Sequence, residues 1–540
     1  MHATPPKGRV LAAANRHRPQ REPALAQIAS FVDLFVWLLV LKSFFLPLFI
    51  IPTGSMAETL RGEHGDHTCP NCGIEYAVGF LTPAGPDVIE CPNCRFREAT
   101  MRSDPRGVRL ARKAGDRIVV HGWPYELGGA FGPRRWDVVV FKNPNEPDVN
   151  YIKRLIGLPG ETIEIIDGDV YVQEADENEL HIARKTRHAQ QSLWFPYYNH
   201  DYPPRQAVRG PRNEVYHPRW TTLIGGTAWS GLETRTPRFG GPTAPRAEIQ
   251  FVTGPPGDLA PGLITDVYGY NGYEREHAAS QPILVSDVRL GVDVQIEAGD
   301  GYVELSLTKF ADRFAARLHA DGRVTLEHRG VEEANESWGE ARVRLPPRPV
   351  RFSLGHADYQ AVVEVDERPL LATTPEQYSV TPALARRQSA QDKPATLRIA
   401  AERVRAQLSH LRIERDVYYT SRPFTFSRRP GNGTQGNPIE IPKEAYFVLG
   451  DNSPSSLDAR YWSAMNDANR EVWMLGPHLR AAYQEGKYAV GTVPADQMIG
   501  CAFLVYWPGF LPHPWAEYLP ERLRRLSNLL PDLGRVRWIH

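Results

Sequence analysis

The stretch NYIKRLIGLPGETIEIIDGDVYVQ, residues 150–173, carries the clearest signal for the fold. Its apolar runs are separated by a Pro-Gly turn in LPGE, and IDGDVYV is typical of a tight hairpin. The stretches GDRIVVHGW (115–123) and WDVVVFKNP (136–144) have the same form, with short apolar runs between turn residues. Such runs are typical of strands. This part of the chain therefore predicts a β-sheet domain.

Length and composition extend this prediction to the whole chain. A chain of 540 residues is too long for a single core, so several domains are expected. Its 47 prolines and 44 glycines indicate many short elements and turns, which favours a mainly β protein. The 63 basic and 63 acidic side chains cancel. Without a general basic field, nucleic acid is not an expected partner.

An apolar run, IASFVDLFVWLLVLKSFFLPLFII, occupies residues 28–51. About 20 such residues match a hydrocarbon core about 30 Å thick, so the run predicts a transmembrane helix. A cleavable secretory signal is the alternative, but no small-x-small cleavage site closes the run. Residues 1–27 hold five basic side chains and one acidic side chain, which predicts a cytoplasmic N-terminus. We therefore expect a single-pass protein with nearly all of its mass outside the cytoplasm.

Directly after this run lies IPTGSMAETL, residues 51–60, with Ser55 between turn residues. Ser55 is either a linker residue or a nucleophile, and a serine nucleophile needs a neighbouring base. The candidate base is Lys153, which lies in the apolar stretch YIKRLIG. Burial among apolar groups lowers the pKa of a lysine, so a neutral amine could take the serine proton. The two residues predict a Ser-Lys dyad.

The order PTGSM, VVVFKNP, YIKRLIGLPGE and VLGDNS followed by SSLDARYW resembles bacterial type I signal peptidase, the leader peptidase family. The similar blocks lie in residues 28–60, 113–173 and 445–508. The resemblance implies a serine endopeptidase of the cell inner membrane that removes signal peptides from exported proteins. It implies signal-peptide-bearing preproteins and the lipid bilayer as partners, an extracytoplasmic catalytic domain, and no cofactor for catalysis.

The resemblance also implies residue roles. Ser55 matches the nucleophile and Lys153 the general base, while the hydroxyl of Thr53 and the backbone N–H of Ser55 would form the oxyanion hole. Supporting positions around the lysine are matched by Ser456, which would orient it, and by Asp458, Arg460, Asp451 and Arg154. Shallow apolar pockets for small substrate side chains would be lined by Ile51, Pro52, Met56, Leu60, Tyr151 and Ile152. Trp136 stands where the family usually has a glycine.

A second motif is the repeated CPNC, which places Cys69, Cys72, Cys91 and Cys94 in two pairs separated by 18 residues. This spacing is typical of zinc ribbons. We therefore predict a zinc-ribbon-like module over residues 61–105 with structural zinc. Disulfides are the alternative, since they persist outside the cytoplasm.

Residues 175–440 interrupt the catalytic blocks, and residues 286–371 alternate apolar and polar side chains between Gly-containing turns. We predict a β-sandwich-like insert here, a catalytic domain split over 52–60, 106–174 and 441–508, and a C-terminal tail, 509–540. Two other functions stay open. One is a processing protease dedicated to a specific substrate, and the other is an inactive anchored binding or scaffold protein that uses the insert.

Overall fold

The computed structural model describes residues 24–40, 45–82, 84–144, 146–210, 213–272, 282–330, 336–391, 394–422, 430–462, 477–507 and 535–539. Strands dominate these residues, and the prediction of a mainly β protein is confirmed. The described helices are α1 (Ala24–Val40), α2 (Trp123–Leu127), α3 (Arg187–Leu193), α4 (Pro382–Ser389) and α5 (Pro477–Gln484).

The N-terminal apolar run differs from the prediction. Helix α1 has 17 residues, and within the described ranges no helix is both long enough and apolar enough to cross a membrane. The transmembrane helix predicted for residues 28–51 is therefore not found in the described part of this run, and residues 41–44 lie outside that part. Its last part, Leu48–Ile50, is instead a strand that pairs with residues 117–119. Backbone hydrogen bonds to a sheet replace those that would have continued a helix.

Eleven strands precede the insert's long strands. In chain order they are β1 (Leu48–Ile50), β2 (His64–Thr68), β3 (Glu75–Gly79), β4 (Val88–Glu90), β5 (Arg97–Ala99), β6 (Arg117–His121), β7 (Val138–Lys142), β8 (Asn150–Gly157), β9 (Thr162–Ile166), β10 (Asp169–Gln173) and β11 (His181–Ile182). Strands β2–β3 and β4–β5 form two separate hairpins, each with one CPNC motif at its turn. We call these two hairpins, residues 64–99, the cysteine module.

The following strands, in chain order, are β12 (Phe195–Asn199), β13 (Val208–Arg209), β14 (Val215–Tyr216), β15 (Arg219–Ile224), β16 (Trp229–Ser230), β17 (Arg238–Gly240), β18 (Ala247–Val252), β19 (Val288–Lys309), β20 (Asp312–His319), β21 (Arg323–Arg329), β22 (Glu336–Arg342), β23 (Val350–Ala357), β24 (Gln360–Val365), β25 (Arg368–Ala372) and β26 (Leu397–Arg415). Apart from the β13–β14 hairpin, these strands belong to one hydrogen-bonded network of thirteen described strands.

Strands β19 and β26 organise this network because they pair with each other over most of their length. The first part of β19 also pairs with β23, and its second part pairs with β20. Three register shifts interrupt the β19–β26 ladder, and bulges of this kind bend strands. Apolar side chains from both parts of β19, such as Leu290 and Leu305, lie in one buried cluster. The two parts thus belong to two layers that enclose a common core.

The chain then returns to its first sheet through β27 (Ile439–Glu440), β28 (Ala445–Leu449), β29 (Val493–Pro494), β30 (Met498–Trp507) and β31 (Arg537–Trp538). The main sheet has the order β1-β6-β30-β7-β8-β28-β29, with β31 paired to β30. Strand β27 joins β9, β10 and β11 in a smaller sheet. Of the predicted tail, 509–540, residues 509–534 lie outside the described residues. The main sheet brings β8, β28 and the segment between β1 and the cysteine module together, and the candidate site lies there.

Candidate active site

Lys153 owes its environment to β8. The strand pairs with β7 on one side and β28 on the other, and Val139 lies opposite Lys153. The lysine side chain is 4% exposed. Burial lowers its pKa to about 8, while the carboxylates of Asp458 and Asp451 act in the opposite direction. The ammonium form is therefore easier to deprotonate than that of a solvated lysine.

Ser55 lies in a short 3-10 turn, Gly54–Met56, which we call the Ser55 turn. The Nζ atom of Lys153 lies 2.7 Å from the Ser55 Oγ atom, and it also donates to the Ile152 carbonyl at 2.9 Å. The structure thus brings together the two residues of the predicted dyad, which are 98 positions apart. Within this geometry a neutral lysine can accept the serine proton directly.

Of the predicted supporting residues, Arg154 lies next to Lys153 on β8, and the others lie in residues 450–460, which we call the return loop. Arg154 donates to both carboxylate oxygens of Asp451, each at 2.8 Å. Arg460 binds both oxygens of Asp458, at 2.8 and 2.7 Å, and all four side chains are fully buried. The Gly450 N–H donates to Asp458 at 2.9 Å. Two bidentate ion pairs therefore fix the return loop beside the lysine.

The hydroxyl residues Ser456 and Thr53 take no part in these ion pairs, and they differ from each other in burial. Ser456 is fully buried near Gly450, but its Oγ atom has no hydrogen-bond partner in the described residues. The predicted hydrogen bond from Ser456 to Lys153 is therefore not present. Thr53 is exposed in extended backbone immediately before the Ser55 turn, on the side open to solvent. Its hydroxyl is accessible to a bound substrate.

The residues predicted to line the substrate pockets fall into two groups. Three of them, Ile51, Met56 and Leu60, are buried in a cluster with apolar residues of the main sheet. Pro52 is exposed, while Tyr151 and Ile152 on β8 are half-buried. Among the six residues, Pro52, Tyr151 and Ile152 are therefore the ones whose side chains are accessible to a substrate.

Trp136 contacts the same region through its backbone. Its φ angle is +77°, in the left-handed region that favours glycine. Its carbonyl accepts a hydrogen bond from Arg154 at 2.7 Å, and its indole N–H donates to the Arg184 carbonyl at 3.2 Å. Trp136 thus adopts a backbone conformation that favours glycine, the residue that the resembling family usually has at this position.

A segment of the insert completes the site, and the sequence did not identify it. This insert loop, residues 264–272, places Asn271 against Asn452 of the return loop. Their two amides exchange hydrogen bonds of 2.7 Å in both directions. The Asn452 amide also donates to the Gly54 carbonyl at 2.9 Å, and its backbone N–H donates to the Ser55 carbonyl at 3.1 Å. The return loop therefore holds the Ser55 turn in place, and the insert loop holds the return loop in place.

Tyr270 of the insert loop wedges between the Ser55 turn and the cysteine module. It is fully buried, and its carbonyl accepts from the Gly79 N–H at 2.8 Å. A Cβ atom at Gly54 would lie 2.4 Å from the Tyr270 ring, and one at Gly79 would lie 2.2 Å from it. Glycine is required at both positions for this close packing. The aromatic cluster DVYGYNGY, residues 266–273, was the available sequence signal.

The four cysteines of the cysteine module lie together in the interior. Their sulfur atoms are all within 4.8 Å of one another, and no disulfide joins them. Gly73 and Arg95, which follow the two CPNC motifs, both have positive φ, and their N–H groups donate to the first cysteine of each motif. The two turns therefore have the same form, as in the paired turns of a four-thiolate metal site.

The asparagines of the two CPNC motifs dock this module onto the insert. Asn71 donates to the Gln206 carbonyl at 3.0 Å and accepts from the Gln206 N–H at 3.1 Å. Asn93 donates to the Tyr202 carbonyl and accepts from the Asn199 N–H, each at 2.7 Å. The side-chain amides of Asn71 and Asn93 thus make hydrogen bonds to backbone groups of residues 199–206 that a neighbouring strand would otherwise make.

Comparison with known proteins supports the resemblance. Residues 104–211 and 388–507 match the family described as signal peptidase, peptidase S26. Signal peptidase I of Pseudomonas aeruginosa is 33% identical over 144 residues, which cover 26% of this chain and 36% of that protein. Signal peptidase I of Rickettsia akari is 55% identical over 42 residues, 8% of this chain and 16% of that protein. The chain thus spans about a third of the Pseudomonas relative, and the matched family segments include Lys153 but not Ser55.

Solved structures resemble part of the chain only loosely. The carbohydrate-binding module CBM66 from Bacillus subtilis is 14% identical and covers 36% of this chain and 94% of that chain, with a TM-score of 0.23. A Bacillus licheniformis β-glucanase is 8% identical and covers 39% of this chain and 98% of that chain, with a TM-score of 0.24. These scores are too low to assign the insert a ligand.

Proposed function

We propose that the chain is a serine endopeptidase that removes signal peptides from exported proteins, because residues 104–211 and 388–507 match the signal peptidase S26 family. The observation that carries this proposal is the 2.7 Å contact between the buried Lys153 amine and the Ser55 hydroxyl. Both members of the pair are present, which argues against the inactive scaffold. The ion pairs Arg154–Asp451 and Arg460–Asp458 support the proposal because they fix the loop beside Lys153.

In the proposed reaction, the neutral Lys153 amine takes the Ser55 proton while Oγ bonds to the scissile carbonyl carbon. The carbonyl electron pair moves to oxygen, where the Ser55 N–H and the Thr53 hydroxyl would stabilise it. The Lys153 ammonium then protonates the leaving nitrogen as the C–N bond breaks. Water attacks the resulting ester, with Lys153 again accepting a proton, and Oγ recovers its hydrogen as the acid leaves.

The proposal is tested by cleavage of a model preprotein. Ser55→Ala and Lys153→Ala should each lower kcat at least about a thousandfold, because removal of either member abolishes the proton transfer. The rate of the unchanged protein should rise with pH and level off above about 8, since only the neutral form of Lys153 is a base. Lys142→Ala, on the exposed side of β7, is the control. Full activity of either dyad variant would refute the dyad.

The insert loop favours a second candidate, a processing protease dedicated to particular substrates. Asn271 and Tyr270 come from the insert yet contact the segments that hold Ser55. An insert that only served as a distant appendage would not need to contact the Ser55 turn. A panel of preproteins distinguishes the two candidates: general activity supports the first, and cleavage of a single member supports the second.

Asn271 is a positioning residue in either case. Asn271→Ala removes the reciprocal amide pair, so the Ser55 turn loses part of its support, and kcat should fall about tenfold to a hundredfold with little change in KM. The exposed Asn213, which has positive φ, offers the control Asn213→Gly. Equal kinetics of Asn271→Ala and the unchanged protein would contradict this role.

We further propose that the four cysteines bind structural zinc. The Sγ atoms of Cys69 and Cys94 are 3.5 Å apart, and those of Cys72 and Cys91 are 3.6 Å apart. Thiolates at about 2.3 Å from a tetrahedral zinc ion would be about 3.8 Å apart, so the donor set fits. Four thiolates leave no open coordination position. Zinc would therefore supply cross-links between the two hairpins rather than chemistry.

Metal analysis tests the zinc proposal. The purified protein should contain zinc in stoichiometric amount, and Cys69→Ser or Cys91→Ser should lose it because three thiolates bind far more weakly than four. Cys501→Ser, which changes the cysteine outside the cluster, should retain the metal. Protein without metal and with oxidised thiols would establish the disulfide alternative.

The proposal includes association with a lipid bilayer through the N-terminal apolar segment. Phe31 and Trp37 of α1 are 71% and 72% exposed, and such apolar exposure favours transfer into lipid. The protein should float with vesicles of phosphatidylethanolamine and phosphatidylglycerol. Phe31→Ser and Trp37→Ser should each weaken binding about tenfold, whereas Leu259→Ser on the insert should not. Unchanged flotation of both variants would contradict this contact.

A further inference from the structure

The outer face of one insert layer carries a dense set of arginines. Along β19, Leu305 and Leu307 face the core, so Glu304 and Ser306 face the other side. In the hydrogen-bonded register, Glu304 lies opposite Arg317 of β20 and Ala400 of β26, and Ala400 lies opposite Glu248 of β18. Two carboxylates therefore lie in one row across the sheet, on the face that does not contribute to the core.

These carboxylates are buried beneath guanidinium groups. Glu304 is 1% exposed and binds Arg246, Arg313 and Arg317 at 3.0, 2.9 and 2.7 Å. Burial raises the pKa of Glu304, but the hydrogen bond from Arg317 and the charges of Arg313 and Arg317 outweigh burial, so its pKa lies below the ordinary value. The glutamate therefore stays ionised and anchors three arginines at once.

Glu248 has the same role at the other end of the row. It is 3% exposed and binds Arg246 at 2.8 Å and Arg398 at 3.1 Å. Arg398 also donates to the Gln250 amide oxygen at 2.8 Å. Arg246 contacts both glutamates and so joins the two groups into one network. The carboxylates form a buried floor, and the guanidiniums form a partly exposed layer above it.

The guanidinium side chains are 23–35% exposed in these four arginines. They line a cavity of about 370 Å³ together with Ile224, Glu248 and a fifth arginine, Arg329, which is exposed at the end of β21. This volume lies in the range of small-molecule sites, about 300–1,000 Å³. The cavity is thus large enough for a small-molecule ligand of several non-hydrogen atoms.

Charge and hydrogen-bond geometry determine what this cavity can hold. Within the described residues, the carboxylates that these arginines bind are Glu248, Glu304 and Glu327, so five positive charges meet three negative ones. A guanidinium has five N–H donors and no acceptor, and its planar fork matches oxyanions. Donors and positive charge are therefore in excess at the cavity surface.

We propose that this cavity binds a small ligand through an oxyanion group, a carboxylate or a phosphate. The buried glutamates hold the guanidiniums in place before binding, so little side-chain freedom is lost when the ligand arrives. The remaining N–H donors then bind the oxyanion in charge-assisted pairs. This binding site lies on the insert and goes beyond the proposed peptidase function.

The full-length protein tests the proposal in buffer of low ionic strength. Inorganic phosphate and D-glucuronate serve as probes, and D-glucose is the uncharged control. Calorimetric titration should give saturable binding of at least one charged probe, together with a rise in Tm, because a ligand of the native state stabilises it. Binding of phosphate alone indicates a phosphoryl ligand, and binding of glucuronate alone indicates an acidic saccharide; either result supports the proposal.

Variants locate the site. Arg313→Gln leaves Glu304 paired with Arg246 and Arg317, and Arg329→Gln changes an exposed side chain, so both variants should fold. Each should weaken binding of the charged probe about tenfold, the loss expected for one charge-assisted pair. Arg348→Gln, which removes an exposed partner of Asp366 elsewhere on the insert, should not. Absence of binding, equal binding of glucose, or equal loss in Arg348→Gln would overturn the proposal.

Discussion

The contact between Lys153 and Ser55 depends on the fixed position of the return loop. Two arginines and two aspartates are fully buried there, and an unpaired charge at such depth would cost several kcal/mol. The bidentate pairs remove this cost only in one arrangement of the loop. That arrangement presents Asn452 to the Ser55 turn and closes the space below the lysine amine. Burial lowers the pKa of Lys153 and outweighs the opposing charges of Asp451 and Asp458, which are paired with Arg154 and Arg460.

The insert and the cysteine module belong to the same arrangement. Asn271 fixes Asn452, Tyr270 fills the gap between Gly54 and Gly79, and the CPNC asparagines fasten the module to the insert. The first two contacts join inserted segments to the return loop and the Ser55 turn, and the third joins the two inserted segments to each other. The insert therefore contacts the return loop that holds the Ser55 turn, and Tyr270 connects the cysteine module to the same turn.

Local chemistry explains which features the sequence could predict. The four cysteines lie in two short motifs with a characteristic spacing, whereas Ser55 and Lys153 were identified from the order of several short motifs along the chain. The alternation in residues 286–371 likewise indicated strands. The strand at Leu48–Ile50 could not be predicted, because its apolar side chains fit a helix equally well and its partner lies at residues 117–119. Asn271 and Tyr270 carry no motif, since their roles come from contacts with segments far away in sequence.

Burial produced the remaining differences. The family resemblance implied that Met56 and Leu60 line substrate pockets, yet both side chains are completely buried in a cluster with residues of the main sheet. The hydroxyl of Ser456 has no partner where a hydrogen bond to the lysine was expected. A sequence gives the order of side chains along a turn, but the direction of each depends on the surface packed against that turn.

The amide of Asn452 and the carbonyl of Gly54 meet although 398 positions separate them along the chain. During biosynthesis, the N-terminal turn emerges from the ribosome long before the segments that clamp it. A partially synthesised chain consequently lacks the clamp, whatever its early strands have already formed. The clamp can therefore form only after residue 452 has been synthesised, so the proposed hydrolytic activity requires that the whole insert be synthesised first.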